Sequence, residues 1–271
     1  MTEPYDHPLI SQRYFFPVGG EALPRALHAA PVSLGDGIGA YWSRPLGGDA
    51  PTLLYLHGNG ECIAHQLGHW PAWAREAGLD VMFVDYPGYG ASAAAGPPTF
   101  SGCRAAARAA ADHLLRESSA PILPMGRSAG SLFATDVGAL LAERAPRRLF
   151  GLVIESGISD TLARLRLRIT PADGIDDEAL AAAVARDFDQ RAKVEAVTAA
   201  GARVLVLHTR HDGIVEVEQG EQLARWAGEH GELVIFDRGD HNSIQLVNEA
   251  AYGAALRRFV AERASARREN T

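Results

Sequence analysis

A five-residue pattern constrains this 271-residue chain more than any other feature. Gly126, Ser128 and Gly130 stand at alternate positions, after a short apolar run and before an alanine- and leucine-rich segment with helical spacing. This order predicts a strand, a sharp turn and a helix, with the serine in a strained backbone conformation and the glycines leaving room around it. The alternative is a strand-to-helix turn that merely contains a serine, because such patterns often arise by chance.

Further continuous apolar runs predict strands that are buried on both faces of a sheet. They lie at Thr52–Leu56, Val81–Val84, Leu149–Glu155, Arg203–Leu207 and Glu232–Phe236. Helical segments of roughly ten to fifteen residues separate them, which predicts right-handed crossovers and a mostly parallel sheet flanked by helices. The length fits a single α/β domain over residues 1–271.

Three stretches depart from this alternation. Arg13–Val18 and Ile38–Arg44 alternate aromatic and apolar residues with polar ones, which predicts two short antiparallel strands at the entry to the sheet. Residues 156–200 carry helical patches without a strand signal, so we expect a small helical cap inserted within the domain. Pro124 precedes the serine turn inside a predicted strand, where it cannot donate to a ladder, and this predicts a shortened or bulged strand.

Composition and charge limit the function classes. The net charge of −7 argues against nucleic acid as the main partner, because phosphate binding needs clustered positive charge. No apolar run approaches membrane-spanning length, and the N-terminus lacks the pattern of a secretory signal. The two cysteines, Cys62 and Cys103, form no disulfide framework, so we expect reduced thiols. Together these features predict a cytoplasmic protein without a transmembrane segment; they leave its oligomeric state open.

Polar side chains with catalytic chemistry follow the predicted strands. A serine hydroxyl becomes a strong nucleophile when a histidine accepts its proton and a carboxylate orients that histidine. Asp212 follows one strand and His241 follows the next, and the carboxyl ends of parallel strands meet at one edge of a sheet. The sequence therefore predicts a triad of Ser128, Asp212 and His241. Asp240 and His211 compete for these roles, but Asp240 adjoins the histidine and should point away from it.

Acyl transfer also needs hydrogen-bond donors for the tetrahedral oxyanion. The backbone N–H of Ala129 follows the serine at the start of a helix, and we expect it to be one donor. The second donor should come from the loop that begins at His57, most directly from the backbone of Asn59, with Gly60 as the alternative. A plain glycine turn is the competing interpretation of this loop.

Other candidate groups have simpler interpretations. Glu61, His65 and His69 recur at intervals of four residues, a spacing that can bind zinc on a regular helix. Gly68 breaks that helix, so we expect a polar cluster beside the oxyanion loop and no metal. Arg127, next to the serine, could steer an anionic substrate or pair with a nearby carboxylate. Asp85 is a possible alternative acid, but the glycine-rich turn after it favours a structural role.

The motifs taken together resemble those of the α/β-hydrolase superfamily. They are His-Gly-Asn-Gly-Glu at 57–61, Asp-Tyr-Pro-Gly-Tyr-Gly-Ala-Ser at 85–92, Gly-Arg-Ser-Ala-Gly at 126–130, His-x-x-x-Asp at 208–212 and Gly-Asp-His-Asn at 239–242. The resemblance is to the α/β-hydrolase-domain serine hydrolases, some of which are protein depalmitoylases, and to their bacterial relatives. It runs from about residue 53 to the C-terminal helix and implies an α/β-hydrolase fold.

The resemblance also implies a function and roles for single residues. Ser128 would be the nucleophile, Asp212 the acid, His241 the base, and Asn59 and Ala129 the oxyanion donors. The expected activity is cleavage of a carboxylic ester or thioester in a small-molecule or acylated substrate, without a cofactor. A peptidase or an acyltransferase with the same triad is an alternative within the enzymes. A non-catalytic binding protein on the same fold is the alternative from another class.

Overall fold

Eight strands form one sheet in the computed structural model, which describes residues 2–20 and 22–269. Across the sheet they run in the order β1-β2-β4-β3-β5-β6-β7-β8. β2 pairs antiparallel with β1 and with β4, and the remaining pairs are parallel. The strands are β1 (Ala29–Ser33), β2 (Gly39–Ser43), β3 (Thr52–Leu56), β4 (Asp80–Val84), β5 (Ile122–Arg127), β6 (Leu152–Glu155), β7 (Val204–Thr209) and β8 (Gly231–Phe236).

Helices cover both faces of the sheet. They are α1 (Pro8–Tyr14), α2 (Ile63–Gln66), α3 (Trp70–Glu76), α4 (Phe100–Glu117), α5 (Gly130–Arg144), α6 (Thr161–Arg166), α7 (Asp177–Asp187), α8 (Gln190–Ala199), α9 (Val217–Ala227), α10 (Ile244–Val247) and α11 (Glu249–Glu269). Leu54 and Leu56 of β3 face the layer beneath α4, α5, α8 and α9, while Leu53 and Tyr55 face the layer beneath α3 and α11. Burial on both faces explains the continuous apolar runs and confirms the predicted sheet.

The predicted strand at Arg13–Val18 is wrong. Helix α1 continues to Tyr14, and the chain then extends until Gly19 forms an isolated bridge with Gly90. Ile10 and Tyr14 lie four residues apart and are both buried, which is the spacing of one face of a helix. The aromatic residues at the end of this helix had suggested a strand instead. The second predicted strand is confirmed as β2, and its partner β1 was missed because its sequence, Ala-Ala-Pro-Val-Ser, has weak strand propensity.

Pro124 does not shorten its strand. β5 pairs with β3 along five positions, with Leu54 opposite Pro124. Pairing with β6 covers only Met125–Arg127, and an isolated bridge joins Ile122 to Leu149. The strand pairing of β5 is therefore interrupted only on the side of β6. The end of β5, just before the serine turn, is regular.

Residues 156–200 contain α6, α7 and α8, in agreement with the predicted helical patches. Helix α8 packs against α5 and α9 on the face of the sheet, so it is the crossover helix from β6 to β7. We propose that the cap consists of α6 and α7 alone. Within the described residues, no helix combines the length and the apolar character needed to cross a membrane.

A buried carboxylate fixes the crossover helix. Asp136 on α5 is 2% exposed and binds Arg104 and Arg108 of α4 at 3.0 and 2.6 Å and Lys193 of α8 at 2.9 Å. Burial alone would raise the pKa of the Asp136 carboxyl, but hydrogen bonding and attraction from the three cations outweigh it and lower the pKa. The ionised carboxylate therefore stabilises the packing of α4, α5 and α8.

We expect Asp136→Asn to reduce the free energy of unfolding by about 2 to 3 kcal/mol near pH 7, because three partly buried cations lose their shared counter-ion. The folded-state pKa lies below the unfolded value, so this contribution is present above about pH 4 and is lost as the pH falls through the folded-state pKa. Urea unfolding of the wild type and of Asp136→Asn, near pH 7 and near pH 3, measures the difference between their free energies of unfolding. This difference should be smaller near pH 3.

The matched control is Asp112→Asn. It removes the charge of a more exposed carboxylate on α4, which lies 3.1 Å from Arg144 on α5. An exposed pair contributes at most about 1 kcal/mol. Equal losses in the two variants, or a loss for Asp136→Asn that does not depend on pH, would contradict this role of Asp136.

Candidate active site

Ser128 lies on a strained turn between β5 and α5. Its φ of 52° is in the left-handed region, which a residue with a side chain rarely adopts. A Cβ on Gly126 would lie 2.4 Å from the carbonyl oxygen of Gly130, and a Cβ on Gly130 would lie 2.1 Å from that of Leu56. The Ser131 hydroxyl donates to the carbonyl of Ser128 at 2.6 Å. The two glycines thus let the turn pack directly on β3.

The structure brings Ser128, His241 and Asp212 together. His241 Nε2 is 2.9 Å from Ser128 Oγ, and its Nδ1 is 2.7 Å from Asp212 Oδ2. The three side chains are at most 8% exposed, and they follow β5, β7 and β8 at the carboxyl edge of the sheet. This arrangement can carry a proton from the serine hydroxyl to the imidazole while the carboxylate fixes the tautomer.

The Asp212 carboxylate is held on both oxygens. Its Oδ1 accepts the backbone N–H groups of Ile214 at 2.9 Å and Val215 at 2.8 Å, while Oδ2 faces His241. Burial would raise the pKa of Asp212, but hydrogen bonds from His208 and His241 outweigh it and hold the pKa well below its usual range. The carboxylate therefore stays ionised beside the imidazole.

Asp240 and His211, the alternative candidates for the acid and the base, have other surroundings. Asp240 Oδ1 accepts the backbone N–H groups of Asn242 at 3.0 Å and Ser243 at 2.9 Å, so it stabilises its own loop. His211 is exposed. Neither forms a hydrogen bond with Ser128 or His241 among the residues that the structure describes.

His208 was missed as a functional candidate. This fully buried side chain at the end of β7 has Nε2 2.9 Å from the carbonyl of Val215 and 3.4 Å from Asp212 Oδ2. A neutral imidazole with its proton on Nε2 donates toward both, which closes the loop that carries Asp212. The available signal was the spacing of four residues between His208 and Asp212, which sequence analysis used only as part of a motif.

The expected oxyanion donors have free hydrogens. Among residues 2–20 and 22–269, no group accepts a hydrogen bond from the backbone N–H of Asn59 or of Ala129. Ala129 lies one residue beyond the serine, at the start of α5, where the helix dipole favours negative charge.

Arg127 pairs with carboxylates. Its buried guanidinium donates to Glu155 at 2.9 Å, to Glu61 and to the backbone carbonyl of His241 at 2.6 Å. Burial alone would lower the pKa of Arg127, but the negative charges of Glu61 and Glu155 outweigh it and raise the pKa. The side chain therefore joins the loops around the serine, which decides between the two roles left open by the sequence.

The remaining candidates have structural partners. Asp85 accepts the backbone N–H groups of Ile63 and Ala91 at 2.8 and 2.7 Å. Glu61 binds the backbone N–H of Gly58 at 2.8 Å as well as Arg127, and His69 Nε2 lies 3.0 Å from the amide oxygen of Gln245. Within the described part of the chain, no three His, Cys, Asp or Glu side chains form a group that could hold a metal.

Comparison with known proteins found relatives of this chain in sequence. No family model matches the chain. An uncharacterized protein of Mycobacterium tuberculosis is 29% identical over 262 residues, which cover 92% of this chain and 86% of the relative. The α/β hydrolase domain-containing protein WAV2 of Arabidopsis thaliana is 32% identical over 115 residues, which cover 41% of this chain and 35% of WAV2.

Solved structures resemble most of the chain. Est1E from Butyrivibrio proteoclasticus has a TM-score of 0.64 at 17% identity, covering 88% of this chain and 100% of its own. The esterase Pf2001 of Pyrococcus furiosus has a TM-score of 0.64 at 18% identity, covering 92% of this chain and 98% of its own. With the mostly parallel eight-stranded sheet, these likenesses show that the chain has the α/β-hydrolase fold.

Proposed function

We propose that this protein is a serine hydrolase that cleaves a carboxylic ester or thioester through an acyl-enzyme. The observation that carries the proposal is the continuous hydrogen-bond chain from Asp212 through His241 to Ser128, at a turn strained so that the hydroxyl stands clear of the backbone. The structural neighbours support hydrolase chemistry, since Pf2001 is named as an esterase.

The reaction follows from these positions. Ser128 Oγ attacks the carbonyl carbon while His241 Nε2 accepts its proton, and Asp212 stabilises the resulting imidazolium through Nδ1–H. The oxygen of the tetrahedral intermediate accepts hydrogen bonds from the backbone N–H groups of Asn59 and Ala129. Collapse of the intermediate expels an alkoxide or thiolate, which takes the proton from His241. Water then attacks the acyl-enzyme with His241 again as base, releases the acid and frees Ser128.

In these reaction steps, side chains and backbone groups of the protein transfer every proton and stabilise every charge. The proposed mechanism therefore requires no cofactor and no metal. An ester or a thioester is favoured over an amide because no feature of the sequence suggests recognition of a peptide. The substrate class is a small-molecule or acylated compound that reaches the sheet edge at Ser128.

The nucleophile is tested by the intact mass of the protein after treatment with a fluorophosphonate. We expect one adduct on the wild type and none on Ser128→Ala, because only a hydroxyl paired with a base is activated. Hydrolysis of p-nitrophenyl esters of graded chain length should fall at least about 10⁴-fold in the variant. A folded wild-type protein with neither adduct nor turnover would favour the non-catalytic binding protein.

The acid is tested by exchanging single carboxylates near His241. In Asp212→Asn the amide oxygen can keep the N–H groups of Ile214 and Val215, and the amide N–H then faces His241 Nδ1. We expect kcat/KM for ester hydrolysis to fall about 10³- to 10⁴-fold, because the imidazole loses its correct tautomer. Fluorophosphonate labelling of the variant should slow in parallel.

The matched control is Asp240→Asn, which changes the carboxylate next to His241 in sequence and keeps an oxygen for its loop N–H groups. Its kcat/KM should stay within about threefold of the wild type, as for surface positions outside the site. A larger loss in Asp240→Asn than in Asp212→Asn would reverse the assignment of the acid.

A further inference from the structure

Residues 4–18, for which the sequence suggested no chemistry, touch the loop that carries the proposed second oxyanion donor. We call residues 4–18 the N-terminal arm; it contains a short 3₁₀ turn, helix α1 and an extended end. The arm is anchored by aromatic packing, because the rings of Tyr14 and Phe15 lie 4.8 and 4.9 Å from that of Phe100 on α4. Its position is therefore set by the core.

The oxygen and the nitrogen of the Asn59 side-chain amide both bind the backbone of this arm. Its Oδ1 accepts the N–H of Phe16 at 2.7 Å, and its Nδ2 donates to the carbonyl of Tyr14. The Tyr89 hydroxyl also donates to Oδ1, at 2.7 Å. An inverted amide would set two carbonyl oxygens against each other and two N–H groups against each other, so these partners fix its orientation.

The opposite side of the same loop is fixed by charge. The Glu61 carboxylate accepts the N–H of Gly58 at 2.8 Å and is itself bound by Arg127. With Gly58 bonded on one side and the Asn59 side chain bonded on the other, the peptide between them has little freedom to rotate. The free N–H of Asn59 is consequently aimed by contacts that lie outside the triad.

We propose that the backbone of Tyr14–Phe16 positions the oxyanion hole, with the Asn59 side chain as the positioning group through which it acts. This inference rests on the proposed function, because an oxyanion forms only in acyl transfer. Asn59 thus has two separable parts: a backbone donor that contacts the reacting oxygen and a side chain that orients it. Preorganised donors stabilise the transition state more than the bound substrate, so the effect falls on kcat.

The arm also extends this support to the proposed cap. Arg13 binds both oxygens of Asp173, at 2.6 and 2.8 Å, and Tyr5 donates to Asp187 on α7 at 2.9 Å. One segment therefore contacts the oxyanion loop and the neighbourhood of α6 and α7. This geometry assigns the N-terminal arm a place in the active site that its sequence does not suggest.

The test separates the Asn59 side chain from its backbone N–H. Asn59→Ala keeps the backbone donor and removes both contacts with the arm. Loss of an oxyanion donor costs about 10²- to 10³-fold in kcat, and loss of its support alone should cost about tenfold or more, with KM for p-nitrophenyl esters changed less than about threefold. Rates are normalised to the folded protein measured by thermal unfolding and circular dichroism.

A matched pair at an exposed position tests the arm itself. Phe16→Pro deletes the N–H that donates to Asn59 Oδ1 at 2.7 Å and to the Tyr89 hydroxyl at 3.2 Å, whereas Phe16→Ala keeps it. Both variants remove the aromatic ring. Phe15 is extended, with φ −92° and ψ 139°, so it tolerates a following proline. We expect kcat of Phe16→Pro to lie about three- to tenfold below that of Phe16→Ala, and no further fall when Phe16→Pro is added to Asn59→Ala.

The inference would be overturned by wild-type kcat in Asn59→Ala, by equal kcat in the two Phe16 variants, or by independent losses in the double variant. A loss confined to KM would also overturn it, since that indicates substrate binding. Failure of the proposed function has a different signature, because the wild type itself would then hydrolyse no ester. Turnover by the wild type with an unaffected Asn59→Ala removes only the role of the arm.

Discussion

The buried guanidinium of Arg127 is the interaction on which the geometry of the site depends. It stands next to Ser128 and donates to Glu155 at the end of β6, to Glu61 in the loop of Asn59 and to the carbonyl of His241. A buried cation is tolerated only when its hydrogens and its charge are matched, and removing one partner leaves an uncompensated charge. One side chain therefore fixes the end of β6 and the loops of Glu61 and His241 relative to the serine turn.

Strain and close packing at the turn complement this network. Ser128 adopts a left-handed backbone conformation that costs of order 1–3 kcal/mol and persists because the surroundings determine it. Gly130 lies against the backbone of β3, and the Ser131 hydroxyl bonds the carbonyl of Ser128. The hydroxyl is thus presented to His241 at 2.9 Å before any substrate arrives. Catalysis on this account relies on positions that folding has already fixed.

The sheet and the triad candidates were predictable because their signals are local. Continuous apolar runs report burial on both faces, and a polar residue just after such a run reports the carboxyl edge of the sheet. The end of the helix at Pro8–Tyr14 was mistaken for the start of a strand, because the aromatic run at Tyr14–Phe16 suggested extended structure. The partners of Arg127 named above lie 28 to 114 positions away, and those of Asn59 lie 30 to 45 positions away, so only the folded chain reveals them.

A crystal structure of the fluorophosphonate-treated protein tests the central claim most directly, because the phosphonyl group resembles the tetrahedral intermediate. The predicted result has phosphorus bonded to Ser128 Oγ and the phosphonyl oxygen about 2.7–3.1 Å from the backbone nitrogens of both Asn59 and Ala129. Phosphorus on another side chain, or a phosphonyl oxygen directed away from these two N–H groups, would contradict it.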